Sequence, residues 1–227
     1  MSISEKDVKK LWGLSAGRCA FPGCGIECLV FLEEGDPTVI GEMAHVIAQS
    51  PKGPRGVEKG GDDTYENLIL LCPTHHRQVD KAPEGVYPEE MLFDWKNAHE
   101  QFIRESLKAP KYPDSIQMAR AIKRLLITNH QIWLEFGPES EKAQTNPLSN
   151  LYEIWNYRKL GTILPNNRKI ISIIESHEEM FEIADFKVCR EFIEHAIAFE
   201  QSCYSRIEGA KRFPLKFQEV IDKYAQI

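Results

Sequence analysis

The chain has 227 residues, of which 42% are hydrophobic and 27% charged, as in a globular protein with one large or two modest cores. Its net charge is −6, and residues 1–110 carry the whole deficit, with 12 Lys and Arg against 18 Asp and Glu. This balance excludes binding to nucleic acid through bulk positive charge. No apolar run approaches the ~20 residues of a membrane span, and the N-terminus lacks a signal-peptide core, so we expect a cytoplasmic protein.

Short elements are predicted for the first half of the chain. Ser4, followed three residues later by Asp7, is typical of a helix start, and this helix is expected to end near Gly17. Beyond it, β-branched apolar runs alternate with segments rich in turn residues. These predict a turn at 18–25, strands at 28–32 and 38–48, a loop at 49–64, a short strand or turn after Asn67, and helices at 74–81 and 88–108.

Helical periodicity dominates after the segment APKYPDS at 109–115, which we interpret as a domain boundary. The predicted helices cover 116–136, 148–160, 166–176, 185–207 and 214–225, with breaks at GPES, GTILPNN and KRFP. The sequence thus predicts an α+β protein with domains at 1–110 and 111–227, the second mainly helical. Its amphipathic helices either bury their apolar faces against one another or dock a partner or a second copy of the chain.

Two short-spaced pairs of metal-ligating residues stand in the first domain. Cys19 and Cys24 flank a Pro-Gly turn, and Cys72 and His75 form a C-x-x-H pair. Together they can supply the four ligands of one tetrahedral zinc site, which would add folding energy to a small domain. Cys28 is a possible substitute ligand, although its place at the start of an apolar strand favours packing.

The histidine next to this pair predicts a second metal site. Neighbouring helical residues point about 100° apart, so His76 faces away from the zinc if His75 binds it. Asp80 follows His76 by four residues and shares its helical face. Imidazole and carboxylate suit Mg²⁺, Mn²⁺, Ni²⁺ or Zn²⁺ in different degrees. His45, at the end of the second predicted strand, is suited to act as a general base toward water.

The order of these motifs resembles that of the HNH endonucleases, in particular a zinc-bearing bacterial branch. The resemblance covers residues 12–82: the Cys19/Cys24 turn, AHVI with His45, YENL with Asn67, and CPTHH followed by Asp80. It implies a ββα-metal fold and hydrolysis of phosphodiester bonds. With the structural zinc knuckle predicted from the ligand spacing, we expect a metal-dependent DNA endonuclease with little sequence specificity.

The resemblance also implies a role for each residue of the site. His45 would be the general base, and Asn67 would hold the loop that orients it. His76 and Asp80 would bind a catalytic Mg²⁺, Mn²⁺ or Ni²⁺ ion. Many members place a further ligand just before the base, where this chain has Ala44. Glu42 is a conceivable substitute, but strand alternation puts its side chain on the face of Ala44 rather than that of His45.

The basic residues near the predicted site are Lys52, Arg55 and Lys59. The glycines beside them would permit close approach to a phosphate backbone, so they are candidate DNA contacts. The alternative is an ordinary solvated loop.

The combination of an HNH domain with a helical extension is similar to the effector nucleases of bacterial antiphage systems, such as the Septu-type nuclease subunit. That similarity implies an ATPase partner or a homo-oligomer. Two other functions stay open: RNA cleavage, and a catalytically silent zinc module that binds nucleic acid or protein.

Overall fold

The computed structural model describes residues 3–30, 38–145, 150–205 and 212–226. The chain divides into two compact units, Met1–Glu105 and Ser106–Ile227. Helices predominate, and the strands form two small antiparallel sheets, so the predicted α+β class is confirmed. None of the helices in the described part of the chain combines the length and the apolar content needed to cross a bilayer.

The first unit is built from short elements. They are α1 (Glu5–Leu14), β1 (Leu29–Val30), β2 (Thr38–Val39), β3 (Glu42–His45), a 3₁₀ turn (Tyr65–Asn67), β4 (Leu68–Leu71), α2 (Pro73–Lys81) and α3 (Glu89–Ser106). Ser4 caps α1 by accepting a hydrogen bond from the Asp7 amide, as its sequence pattern predicted. β1 pairs with β2, and β3 pairs with β4. The described part of the predicted strand at 28–32 ends at Val30, and residues 31 and 32 lie outside it.

The sheet of β3 and β4 positions the residues of interest. All four residues of β4 are fully buried, so this strand is a core element with side chains covered on both faces. The antiparallel register sets His45, at the end of β3, opposite Leu68, directly after Asn67. At its other end β4 runs into Cys72, the N-cap of α2. One buried strand therefore connects the predicted base with the predicted metal ligands.

The single strand predicted at 38–48 is wrong, because the chain changes sheets at Gly41. The amides of Ile40 and Gly41 both donate to the Cys28 carbonyl, at 2.9 and 3.0 Å. A Cβ atom at Gly41 would lie 2.8 Å from both the Cys28 Cβ and the Trp12 ring, closer than van der Waals contact allows. Glycine permits this close approach, and beyond it the chain pairs with β4, so β2 and β3 belong to different sheets.

The second unit is a helical bundle. Its helices are α4 (Ser115–Phe136), α5 (Glu141–Thr145), α6 (Leu151–Arg158), α7 (Leu164–Ser176), α8 (Ile183–Tyr204) and α9 (Leu215–Ala225). Buried apolar side chains from α4, α7, α8 and α9 form one core, including Ile122, Ile173, Phe192 and Phe217. The Phe192 and Phe217 rings stack there at 4.2 Å.

The predicted break at GTILPNN is wrong. A π-helix over Lys159–Ile163 joins α6 to α7, so the chain stays helical from Leu151 to Ser176. Pro165 lies in the first turn of α7, immediately after the π segment. Proline lacks an N–H and crowds the preceding turn of a regular helix, and a wider turn at that place accommodates it.

Candidate metal centre and adjoining pocket

The fold gathers the two predicted ligand pairs into one cluster. The donor atoms of Cys19, Cys24, Cys72 and His75 all lie within 4.8 Å of one another. His75 Nδ1 is 3.2 Å from Cys72 Sγ and 3.6 Å from Cys19 Sγ. Usual zinc bond lengths in a tetrahedral site place sulfur and nitrogen donors roughly 3.6 Å apart. Three thiols and one imidazole at these separations can hold a metal ion such as zinc.

Neighbouring side chains keep the His75 ring in place. Phe21 stacks on it with ring centroids 3.9 Å apart and planes 5° from parallel. Phe21 lies in the turn between the first two cysteines, where its carbonyl accepts from the Cys24 amide. The sulfur of Cys28 is not part of the cluster; the residue is fully buried, and burial raises the pKa of its thiol to about 12. Cys28 is thus a packing residue.

His76, the next residue on α2, faces a different set of groups. Its Nε2 lies 3.1 Å from Asp80 Oδ2, one helical turn away, and its Nδ1 contacts the carboxylate of Glu42 on β3. The hydrogen bond to Asp80, joined by the one to Glu42, raises the pKa of His76 to about 9. Glu42, considered from the sequence as a replacement ligand, therefore reaches the ring nitrogen that points away from Asp80.

One pocket brings together the predicted base and the predicted ion-binding pair, whereas Asn67, Lys52 and Lys59 are not among its lining residues. It has a volume of about 230 Å³, and His45, His76, Asp80 and Arg55 are among its lining residues. His45 comes from the end of β3, whereas His76 and Asp80 come from α2. The fold thus brings a candidate base and a candidate ion-binding pair, more than 30 residues apart in sequence, to one cavity.

Arg55 does not lie where a DNA-contacting surface residue was expected. Its side chain is 9% exposed and turns inward, where Nη2 lies 2.9 Å from Asp80 Oδ1. Its Nε donates to the Val46 carbonyl at 2.6 Å, and Nη1 donates to the Val79 carbonyl at 3.1 Å. Arg55 therefore ties the loop to β3 and α2 and fixes one oxygen of Asp80. Lys52 and Lys59 are exposed, as expected.

Asn67 bridges the two ends of the loop between β3 and β4. It is 6% exposed. Its Nδ2 donates to the Ile47 and Asp62 carbonyls, both at 2.9 Å, and its Oδ1 accepts from the Ile47 amide at 2.9 Å. A primary amide is suited to this task because it carries donors and an acceptor together.

The 3₁₀ turn that presents Asn67 is supported by α3. Lys96 is 5% exposed, and its ammonium group lies 3.6 Å from the centroid of the Tyr65 ring and donates to the Tyr65 carbonyl. The Tyr65 hydroxyl donates to Glu100 at 2.5 Å. Burial lowers the pKa of Lys96 to about 8. A buried polar network of this kind fixes the backbone on which Asn67 stands.

Asp63 was missed by the sequence reasoning. Its Oδ1 lies 2.9 Å from His45 Nε2 and also accepts from the Gln49 side chain. The pair Asp62-Asp63 in a glycine-rich loop just ahead of Asn67 is the signal in the sequence. That signal does not tell which of the two carboxylates turns toward His45.

Comparison with known proteins finds a partial match to a restriction enzyme. Over 84 residues the chain is 31% identical to the Type IV methyl-directed restriction enzyme EcoKMcrA of Escherichia coli (strain K12). The match covers 37% of this chain and 27% of the relative, so the chain spans about a quarter of that protein's length. No protein-family profile matches. The similarity, together with the Cys/His cluster, supports a nuclease-like relationship of the HNH type.

Proposed function

We propose that the chain is a metal-dependent HNH endonuclease that hydrolyses phosphodiester bonds in DNA. The observation that carries the proposal is the pocket that His45, His76 and Asp80 line together. A general base and an ion-binding pair in one cavity are the components that metal-assisted hydrolysis requires. The similarity to a restriction enzyme supports the same chemistry.

The local fold agrees with this proposal. β3, the loop, β4 and α2 follow one another as strand, loop, strand and helix, which is the order of a ββα-metal motif. His45 ends the first strand, Asn67 precedes the second, and His76 lies on the helix. These positions support the task proposed for each of the three residues.

His76 and Asp80 are the residues that would hold the catalytic ion. Nδ1 of His76 donates a hydrogen bond to Glu42, so Nε2, on the side of Asp80, is the nitrogen that would bind the ion after giving up its own proton. A carboxylate on the far nitrogen is the usual partner of a metal-binding histidine. A bound Mg²⁺, Mn²⁺ or Ni²⁺ would supply Lewis-acid stabilisation of charge on the scissile phosphate. His45 would take a proton from the attacking water, with Asn67 holding its loop in place.

Contact with DNA has to be local, since the chain is acidic. We assign it to the exposed Lys52 and Lys59, which flank the loop segment that contains Arg55. Arg55 itself acts in this proposal by positioning Asp80. Contacts from lysine to phosphate orient the duplex without reading its sequence, so cleavage with little sequence specificity follows.

The biological role extends this proposal. We infer a role in antiphage defence, since the relative is by name a restriction enzyme. A protein partner, such as the ATPase of a Septu-type system, or a second copy of the chain is expected to act with it. Exposed apolar side chains on the second unit, Tyr152, Ile183 and Leu215, offer surface for such an association.

Cleavage of supercoiled plasmid with Mg²⁺, Mn²⁺ or Ni²⁺ tests the function. The wild-type chain is expected to nick or linearise DNA, and His45→Ala is expected to lose roughly 10²- to 10⁴-fold in rate, the contribution of a general base. His130→Ala is the matched control, because this histidine is exposed on α4 in the second unit. Single-stranded RNA, assayed in parallel, separates DNA from RNA cleavage.

Two results would contradict the proposal. One is a chain that binds zinc and DNA but cuts nothing with any of the three ions, alone or with its partner, as expected of a silent zinc module. The other is His45→Ala protein that cuts as fast as the wild type, which would remove His45 from the role of base.

A further inference from the structure

The carboxylate of Asp63 reaches the proposed base from the loop between β3 and β4. Its Oδ1 lies 2.9 Å from His45 Nε2, and the Gln49 amide donates to the same oxygen. The side chains of Asp63 and His45 are 15% and 20% exposed, so the contact is largely shielded from water. Its length is that of a well-formed hydrogen bond.

The chemistry of this contact selects one tautomer of His45. An ionised carboxylate only accepts hydrogen bonds, so each nitrogen that faces Asp63 must carry a hydrogen. Hydrogen bonds from His45 and Gln49 lower the pKa of Asp63 below its ordinary value, which keeps it ionised. Neutral His45 therefore carries its proton on Nε2 and its lone pair on Nδ1.

The contact to Asp63 and the position of His45 in the pocket wall together indicate which nitrogen is open to a reactant. His45 lines the pocket with His76 and Asp80, whereas Asp63 is not among the residues of its wall. Nε2 is committed to Asp63, so Nδ1 is the nitrogen available to a water molecule in the pocket.

We propose that Asp63 is the positioning residue of the base, holding His45 as the Nε2–H tautomer with Nδ1 available to the attacking water. This inference rests on the proposed endonuclease function. As the water oxygen bonds to phosphorus, its proton passes to Nδ1, and the bond from phosphorus to the leaving sugar oxygen breaks. That oxygen takes a proton from solvent, and the imidazolium charge is balanced by the carboxylate of Asp63.

Nitrogen NMR tests the tautomer without any need for cleavage. In ¹⁵N-labelled wild-type protein, neutral His45 should show a protonated Nε2 and an unprotonated Nδ1, which have well-separated chemical shifts. In Asp63→Ala the two tautomers should mix, because the acceptor that selects one of them is gone. A wild-type His45 protonated on Nδ1, or an unchanged tautomer in Asp63→Ala, would overturn the inference.

Single-turnover cleavage at saturating DNA tests the consequence. Asp63→Ala should slow the chemical step roughly 100-fold, at the low end of what a general base contributes, and leave DNA affinity nearly unchanged. Asp94→Ala is the matched control, since it removes the same kind of carboxylate from an exposed position on α3 of the same unit.

The two measurements separate failure of this inference from failure of the proposed function. If Asp63→Ala cleaves DNA at the wild-type rate, the positioning role is refuted, while the proposed endonuclease function stands. A wild-type chain that shows the Nε2–H tautomer yet cuts no substrate would instead refute the endonuclease and, with it, a catalytic meaning for Asp63.

Discussion

Replacing Asn67 by aspartate isolates the hydrogen bonds that close the loop over the pocket. The substitution keeps the size and shape of the side chain and the oxygen that accepts from the Ile47 amide. It removes the amide group that donates to the Ile47 and Asp62 carbonyls, both at 2.9 Å. The second carboxylate oxygen of the aspartate would instead face the carbonyl oxygens of Ile47 and Asp62.

The expected cost follows from these contacts. A buried polar group that loses its partner costs about 1–3 kcal/mol, which gives about 2–6 kcal/mol for the two carbonyls. Asp62 is exposed, so its carbonyl can regain a water molecule, and we expect about 2–4 kcal/mol. Each 1.4 kcal/mol is tenfold in an equilibrium, so the population of the open loop should rise at least roughly 30-fold.

Hydrogen exchange of the full chain measures this opening. The amide of Val46 donates to the Asn67 carbonyl at 2.8 Å, and that of Gly61 donates to the Ala48 carbonyl at 2.8 Å. Both should lose roughly 30-fold or more of their protection in Asn67→Asp, and plasmid cleavage should fall with it. Asn97→Asp, at an exposed site on α3, controls for the charge. A loss of protection of less than threefold in Asn67→Asp would show that these hydrogen bonds do not hold the loop closed.

Two further predictions concern the metal sites. Cys72→Ala should lose zinc and unfold the first unit, while His76→Ala should stay folded and zinc-bound but inactive. Metal analysis and circular dichroism distinguish the two variants. A folded, zinc-free Cys72→Ala protein would contradict the structural role of the zinc. At pH 7 the binding of Mn²⁺ at His76 should release about one proton, because the pKa of this residue, raised to about 9 chiefly by Asp80, keeps it protonated until the ion arrives. Calorimetry in two buffers of different ionisation enthalpy measures the released proton. Equal Mn²⁺-binding enthalpies in the two buffers would contradict its release.

The residues that were predictable from the sequence are those whose geometry is local. A C-x-x-H pair at the start of a helix and two cysteines around a Pro-Gly turn each preset their own donors, and two such half-sites predict one four-ligand cluster of Cys19, Cys24, Cys72 and His75. The relation of His76 to Asp80 likewise follows from one helical turn.

The residues that were not predictable depend on the path of the loop at 49–64. Arg55 has a positive φ of 55° and points inward to Asp80, 25 positions away, where composition favoured an exposed cation. Asp63 turns toward His45, while its neighbour Asp62 binds Thr64. Nothing in the local pattern distinguishes these carboxylates, because tertiary contacts decide which one turns inward.

In the proposed arrangement, the adjacent histidines make the second metal site depend on the first, but not the reverse. His75 ties the first turn of α2 to the Cys19 and Cys24 turn, and His76, the next residue on the same helix, faces the pocket. If the first site were lost, the start of α2 would be released and we expect His76 to move with it. The second site has no such hold on the first, because Asp80 and Glu42 belong to elements that the zinc ligands and β4 already fix. The proposed zinc ion can therefore bind before the proposed catalytic ion and set the geometry of the second site.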